Sequence, residues 1–500
     1  MTGAWVQIPL SAPCRRGLHK LAATLFFYPE TNGNRPNMKL FQHHSQTSRL
    51  LTEGKPSKVI VSFAAPIFLS QLFQQLYNTA DSWIVGNFLG KEALAAVNSS
   101  GSLIHLMTSF FVGASMGAGV VISRYFGAGD HERVSKAVHT NALLSFICGV
   151  VMSVFGALMT PVIMRWMGVP DDVMPNSVAY LRYYFLGCVP VVMYNSLKGV
   201  MNAVGDSRRP LYYLIVSSVL NVLLDLLFVG ALGLGVEWAA IATVLSQTVS
   251  AILCLIQLTR KGTVYQLQWK KLRMDMASLK EIVKYGLPTG VQNSVIGFAN
   301  VLVQTNINSF GGLAMAACGA YSRIEGFVFL PIMSMSLALT SYIGQNLGAK
   351  EYDRAKQGAR FGVLTSVAMA EVIGIILFFF GGFFISTFIT DADPEAVAEI
   401  IAIGARQCRV ESLFFFLLAF SHAIAGVCRG AGKAIVPMLI MLLVWCVIRI
   451  IYITVAMHIK HEIVLLFLAY PLTWFISSVI YFIYYKKSNW VYGFDTLKEQ

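Results

Sequence analysis

The stretch that decides the fold is KVIVSFAAPIFLSQLFQQLYNTADSWIVG, residues 58–86. It is mostly apolar and longer than the roughly 20 residues that a helix needs to cross a bilayer. Yet Asn78 and Asp81 lie inside it. A carboxylate that faces lipid at the centre of a bilayer costs about 2.5–3.5 kcal/mol or more. Asp81 should therefore face the interior of a helical bundle.

The whole chain has the composition of a membrane protein. Of its 500 residues, 56% are hydrophobic and only 13% are charged, and the mean hydropathy is +0.63. A soluble protein carries about twice that charged fraction. Apolar runs of about 20 residues indicate helices, because barrel strands are about 10 residues long and alternate in polarity. The sequence thus predicts an all-α integral membrane protein.

Twelve apolar segments predict twelve transmembrane helices. Their approximate bounds are 59–86, 94–122, 134–158, 173–201, 210–231, 236–259, 282–309, 314–344, 360–384, 397–427, 435–457 and 463–485. They divide into a six-helix N-terminal lobe, residues 55–260, and a six-helix C-terminal lobe, residues 282–485. Residues 261–281 form the linker between the lobes.

The distribution of basic residues predicts the orientation. Arginine and lysine are concentrated in the loops after spans two, four and eight and in the linker. By the positive-inside rule these loops and both chain termini are cytoplasmic. We expect residues 1–54 and 486–500 to be cytoplasmic tails, with Met38 as an alternative start of translation.

The two halves resemble each other in sequence. The matched pairs, in chain order, are Pro66 with Pro288, Asn78 with Asn300, GAGDHER (127–133) with GAKEYDR (348–354), and GVMNAVGDSRRP (199–210) with GVCRGAGKAIVP (426–437). Because each half has an even number of spans, both enter the membrane from the same side. This predicts parallel repeats around a central cavity, an arrangement of secondary transporters.

The sequence does not indicate nucleotide hydrolysis, metal binding or nucleic-acid binding. GAGKA at 430–434 differs from a phosphate loop, because Val427 replaces the first glycine and Ala434 the final serine or threonine. The eight cysteines form no CxxC pair, so we predict no disulfide or metal site from them. No basic stretch is interleaved with aromatic residues, and the net charge of +13 therefore does not indicate nucleic-acid binding. We expect no enzyme activity and no cofactor.

Five segments resemble the multidrug and toxic compound extrusion (MATE) family of bacterial transporters. They are LYNTADSWIVGNFLG (76–90), NVLLDLLFV (221–229), AAIATVLSQ (239–247), SYIGQNLGAKEYDRA (341–355) and GAGKAIVP (430–437). The resemblance covers roughly residues 50–485. It implies a multi-pass antiporter of the inner (plasma) membrane that exports organic, often cationic, drug-like compounds in exchange for Na⁺ or H⁺, and so contributes to antibiotic resistance.

The resemblance leaves one alternative within transport, a flippase for lipid-linked oligosaccharides from a related family. Such a protein needs a cationic cavity for its anionic diphosphate lipid, so the acids in spans one and five favour the antiporter. We expect a monomer surrounded by membrane lipid, with small molecules as its only other partners.

Four residues are the candidates for the cation site. The resemblance implies that Asp81, Asn221, Asp225 and Thr243 line a polar pocket of the N-terminal half that binds the coupling cation. Asn221 and Asp225 are four residues apart and share one helix face. Two carboxylates in a medium of low dielectric constant cannot both stay charged at low cost. Such a pair either takes up a proton or, with the Asn221 and Thr243 oxygens, holds Na⁺; a structural hydrogen-bond network is the alternative.

The C-terminal half offers polar candidates for substrate binding. They are Gln292, Asn293, Glu325 and Glu411. The residue of this half that matches Asp81 is Val303, and span seven has no acid, which argues against a sodium site here. The sequence leaves open whether Glu325, Glu371, Glu411 and Arg449 have functional or structural roles.

Overall fold

The computed structural model describes residues 50–389 and 393–494. In these ranges the chain forms α-helices with short π- and 3₁₀-helical segments, and no strand. The expectations for residues 1–49, including the start at Met38, and for residues 495–500 lie outside the described residues.

The described residues of the N-terminal half form seven α-helices. They are α1 (Pro56–Phe88), α2 (Lys91–Gly127), α3 (His131–Trp166), α4 (Met174–Leu186), α5 (Cys188–Ala203), α6 (Arg208–Asp225) and α7 (Val236–Thr259). A π-helical segment, Leu226–Ala231, continues α6.

Eight α-helices lie in the part of the C-terminal half that the structure describes. They are α8 (Met276–Asn308), α9 (Gly312–Gly348), α10 (Tyr352–Ser386), α11 (Pro394–Ser412), α12 (Phe415–Gly430), α13 (Ile435–Met441), α14 (Arg449–Ile459) and α15 (Ile463–Lys487). The π-helical segment Leu442–Ile448 joins α13 to α14.

The helices correspond to the twelve predicted spans, but two of the spans differ from a continuous apolar helix. Nine helices of the described residues are long and apolar enough to cross a membrane, and α11 with α12, bent by 52°, makes a tenth. The fourth predicted span is broken at Gly187 into α4 and α5, where a side chain would collide with Val244. The seventh, α8, is less apolar because Gln292, Asn293 and Asn300 lie within it.

Successive spans run in opposite directions, so the connections lie on two opposite faces. We call one the linker face; it carries residues 50–55, 128–130, 204–207, 260–275, 349–351, 431–434 and 488–494. We call the other the loop face; it carries residues 89–90, 167–173, 232–235, 309–311, 387–389 with 393, and 460–462.

The two halves make their closest contact between α2 and α8. Gly113 and Gly117 of α2 face Gly286 and Gly290 of α8, so that a GxxxG motif of each half meets one of the other. A Cβ atom on Gly113 would lie 2.6 Å from the Thr289 carbonyl oxygen. Small residues at this spacing let helix backbones approach closely in a membrane. All four glycines lie in the part of the helices nearer the linker face.

Polar contacts between the halves also concentrate at the linker face. The Gln345 side chain accepts a hydrogen bond from the Leu51 backbone N–H (2.8 Å) and donates one to the Ala203 carbonyl oxygen (2.7 Å). The Arg354 guanidinium donates to the carbonyl oxygens of Glu53 (2.9 Å) and Gly54 (2.5 Å). The bond to Ala203 joins the two halves directly, and the others tie the C-terminal half to the segment before α1, so the helices are held together at the linker face.

The linker between the halves is shorter than the predicted 261–281, since α7 ends at Thr259 and α8 begins at Met276. Asp275 caps α8 by accepting hydrogen bonds from the backbone N–H and the hydroxyl of Ser278, both 2.8 Å. These bonds stabilise the ionised carboxylate and lower the pKa of Asp275. The His139 imidazole bonds the backbone of Gln268 and ties the linker to α3.

Candidate functional site

The N-terminal half brings Asp81 and Asp225 together inside the membrane. Asp81 lies in the last third of α1, and Asp225 is the last residue of α6, before the π-helical segment. Their carboxyl groups are close enough to interact electrostatically. Asp225 is 0% exposed and Asp81 is buried. The structure thus encloses two acids where the sequence predicted a polar pocket.

The oxygens of this pair lack hydrogen-bond donors. Oδ1 of Asp81, both Oδ atoms of Asp225 and Oδ1 of Asn221 are buried and accept no hydrogen bond from the described residues. None of the ion pairs in the described part of the chain involves either aspartate. Buried polar groups without partners are costly. An arrangement of four acceptor oxygens without donors suits a proton or a hard cation, which binds oxygen ligands.

Asn221 and Thr243 lie beside the pair, on α6 and α7. The Asn221 Nδ2 atom is 3.4 Å from the Thr243 Oγ1 atom, and Thr243 in turn donates to the Ala239 carbonyl oxygen. The donor of Asn221 therefore points to Thr243. Its acceptor oxygen is left without a donor, like those of the aspartates.

Tyrosines surround the acids. Tyr77 lies one helical turn before Asp81, and its hydroxyl accepts a hydrogen bond from Gln247 Nε2 (3.2 Å). Tyr77 and Tyr180 are both buried and close enough to Asp81 to interact with it electrostatically. The wall of the candidate cation site is thus aromatic and neutral.

The C-terminal half holds a second acid cluster, of different composition. Glu411 on α11 is 0% exposed and accepts hydrogen bonds at both oxygens, from Tyr321 Oη (2.9 Å) and from Gln407 Nε2 (2.8 Å). Glu325 on α9 interacts electrostatically with Glu411, is half-buried, and accepts no hydrogen bond in the described residues. The two neighbouring arginines, Arg323 and Arg409, are exposed.

Gln292 and Asn293, the other candidates of this half, lie apart from these acids. Gln292 Nε2 donates to the Met441 sulfur (2.7 Å) within the C-terminal half. Asn293 Nδ2 donates to the Ser109 carbonyl oxygen (3.1 Å) and so joins α8 to α2 of the other half. These two amides contribute contacts between helices.

Several polar residues within membrane-spanning helices of both halves are exposed. Asn78 and Thr79 of α1 and Asn300 and Gln304 of α8 are exposed, although they lie within membrane-spanning helices. Polar side chains in such positions face protein or water and not lipid. All four lie in the half of their helix nearer the loop face, whereas the glycine contacts close the other half. We therefore infer a water-accessible cleft between the halves that opens to the loop face.

Sequence reasoning missed most partners of the C-terminal acids. Gln407 stands four residues before Glu411, and this spacing was a usable signal because such residues meet on a helix. Tyr321 also stands four residues before an acid, Glu325, but its hydroxyl bonds Glu411 on another helix. No local pattern indicates that contact between helices.

Comparisons with known proteins agree with this arrangement. A family model with the description MatE matches residues 66–227 and, a second time, residues 288–455. The chain is 29% identical over 446 residues to the probable multidrug resistance protein YoeA of Bacillus subtilis (strain 168), covering 87% of this chain and 95% of that one. It is 25% identical over 338 residues to an FAD transporter of Shewanella oneidensis, covering 67% and 75%.

The fold is that of solved transporters. A structure described as the outward-facing conformation of a multidrug resistance MATE family transporter of the MOP superfamily matches with a TM-score of 0.82 and 22% identity. The match covers 88% of this chain and 97% of that one. The predicted twelve-helix fold in two repeats is confirmed, and the chain is a multi-pass membrane protein.

Proposed function

Because this chain belongs to the MatE family, we propose that it is a secondary active antiporter that exports organic, often cationic, drug-like compounds in exchange for Na⁺ or H⁺. The observation that carries the proposal is the buried pair of Asp81 and Asp225, whose oxygens lack donors. The pair needs a positive charge to be stable in the membrane, and the cleft gives that charge a route from the loop face. The chain acts as a transporter and not as an enzyme.

Coupling follows from competition between two conformations. With the linker face closed and the cleft open to the loop face, Asp81 and Asp225 take up the cation, assisted by the oxygens of Asn221 and Thr243. Cation uptake disfavours the bound organic cation, which leaves through the cleft. Each ligand shifts the equilibrium between conformations only by its difference in affinity for them. The coupling ion therefore drives export as long as its gradient favours the occupied pair.

The organic substrate binds in the same cleft, toward the C-terminal half. Glu325 and Glu411 supply negative charge there, and Gln292 and Asn293 supply polar contacts near the interface of the halves. We place the protein as a monomer in the plasma membrane with both termini and the linker face in the cytoplasm. The abundance of lysine and arginine on the linker face supports this orientation.

Two other classes of substrate are less compatible with the negative charge of the buried acids. A diphosphate-linked oligosaccharide and a flavin dinucleotide are both anionic, whereas Asp81, Asp225, Glu325 and Glu411 bring negative charge to the two halves. None of the proteins reported above is named as a flippase. One is named an FAD transporter, so FAD belongs in the test as an anionic substrate.

The proposal is tested in proteoliposomes that contain the purified protein. Ethidium movement is followed while a Na⁺ gradient and a pH gradient are imposed separately, and FAD uptake is followed in parallel. We expect one of the two gradients to drive ethidium export and neither to drive FAD. Absence of ethidium movement under both gradients, with the protein correctly folded, contradicts the antiporter, and gradient-driven FAD movement changes its substrate class.

A further inference from the structure

Arg449 is a buried arginine in the middle of the membrane. It is 2% exposed and follows directly on the π-helical segment Leu442–Ile448. Segments of this kind occur frequently at functional sites, because they alter which side chains a helix turns inward. A guanidinium in such a position is costly unless other groups compensate its charge.

Neutral groups hold the guanidinium in place. Its Nε and Nη2 atoms donate to the Thr473 Oγ1 atom, at 3.3 and 2.9 Å. Its carbon Cζ lies 4.4 Å from the centre of the Tyr470 ring and 5.5 Å from that of Trp445. These contacts orient the side chain, but none of them compensates a full charge.

The compensating charges are the two glutamates. The helices of Arg449, Glu411 and Glu325 pack together, since Ile453, Val410 and Cys318 belong to one apolar cluster. Arg449 is within electrostatic range of both glutamates but forms no ion pair with them within 4.0 Å in the described residues. Each oxygen of Glu411 already accepts a hydrogen bond, one from Tyr321 and the other from Gln407. Glu325 is the acid whose oxygens have no donor and which is partly exposed.

The two acid clusters differ in formal charge. In the C-terminal half, two carboxylates and one guanidinium leave a formal charge of −1. In the N-terminal half, two carboxylates without a guanidinium leave −2. The C-terminal cluster is therefore neutralised by a single positive charge.

We infer that Arg449 determines the charge specificity of the substrate site. It is the built-in counter-ion of Glu411, and it leaves Glu325 to bind the positive group of a singly charged organic cation. A doubly charged compound would leave an uncompensated positive charge in a medium of low dielectric constant, which is costly. This inference rests on the proposed function, since it names the charge class of that function's substrate.

The test compares two dyes with the same ring system, ethidium with one positive charge and propidium with two. Their dissociation constants are measured by fluorescence with the purified protein at pH 8. The wild type should prefer ethidium. One elementary charge removed at about 10 Å changes the binding of a unit charge roughly tenfold at an effective dielectric constant of about 20. Arg449→Met should therefore shift the ratio of the two constants about tenfold toward propidium.

Two further variants separate charge from structure. Glu411→Gln combined with Arg449→Met restores the formal charge of −1 and should restore the wild-type ratio. Arg449→Lys keeps the charge but loses the paired bonds to Thr473, and its ratio should stay as in the wild type. Arg429→Met is the matched control, because Arg429 is another buried arginine of this half whose side chain bonds Ser336.

The outcomes are distinct from those of the transport assay. An unchanged dye ratio in folded Arg449→Met, a ratio in Arg449→Lys that follows Arg449→Met, or no dye binding by the wild type overturns the inference. Gradient-driven export together with an unchanged ratio overturns this inference alone. Dye binding with the expected ratios but without gradient-driven export contradicts the antiporter and leaves the charge assignment standing.

Discussion

The two halves of the molecule share one fold but treat their buried acids differently. Asp81 and Asp225 are paired without a nearby cation, and three of their four oxygens lack a donor. Glu411 has a donor at each oxygen and Arg449 within electrostatic range. The first pair must obtain its positive charge from outside, whereas the second carries one in the chain. The duplicated fold thus provides one site that is suited to exchange a cation and a second site whose negative charge is partly compensated by Arg449.

Matched positions of the two halves carry different residues at the acid and at the arginine. The position of Asp81 is occupied by Val303 in the second half, where it is buried among apolar side chains. Val222 lies as far after Pro210 as Arg449 lies after Pro437. One half has the acid without the arginine, and the other has the arginine without that acid.

The largest expected difference between the halves is in coupling. Asp225→Asn or Asp81→Asn should abolish gradient-driven export, because the variant loses half of the negative charge that draws the coupling cation into the pocket. The protein should still reach the membrane. Glu411→Gln should keep the response to the gradient while weakening substrate binding. Ethidium export from everted vesicles measures both effects; wild-type export by both aspartate variants would remove the site from the N-terminal half.

Thermal stability should change in opposite directions in the two halves. Asp81→Asn replaces one of two uncompensated acids with a group that can donate to Asp225, so the melting temperature should rise. Glu411→Gln removes one of the two negative charges near Arg449. It also replaces the carboxylate that accepts hydrogen bonds from Tyr321 and Gln407 with an amide. Each hydrogen bond to the carboxylate contributes about 1.5–3 kcal/mol and weakens when the charge is removed, so the melting temperature of Glu411→Gln should fall. Changes of the same sign, measured in one detergent, would contradict the distinction.

Arg354→Ala tests whether the halves separate as two bodies, each with its own acid cluster. The variant loses the hydrogen bonds to the carbonyl oxygens of Glu53 and Gly54, and should shift the population toward an open linker face. Spin labels on the exposed residues His131 and Asp353, one in each half, report the distance. Lys136→Ala is the control, because Lys136 pairs with Glu132 inside α3. An unchanged distance distribution would show that these bonds do not hold the face closed.

The smallest expected effect compares two tyrosines. Tyr321→Phe removes a hydrogen bond to a carboxylate, which contributes about 1.5–3 kcal/mol, whereas Tyr77→Phe removes one to the neutral Gln247, which contributes about 0.5–1.5 kcal/mol. Tyr321→Phe should therefore lower the free energy of unfolding more. Equal losses would indicate that Glu411 is not ionised in the resting protein.

Much of the candidate cation site could be predicted because its spacing is local. Asn221 and Asp225 are one turn apart on a helix, and an acid in an apolar run must turn inward whatever surrounds it. The neighbours of Glu411 could be predicted only in part. Gln407 is four residues away, but Tyr321 comes from a helix about 90 residues earlier, and Arg449 from a later one.

The sequence by itself determined the class of fold, the number of spans, the duplication and the presence of acids in the membrane, because lipid penalises every exposed charge regardless of fold. Tertiary structure alone decided which acids meet. The packing of the helices places Asp81 beside Asp225, and Tyr321 and Arg449 near Glu411. It also closes the linker face through the glycines of α2 and α8. These outcomes depend on how helices distant in sequence pack, which hydropathy and local spacing do not encode.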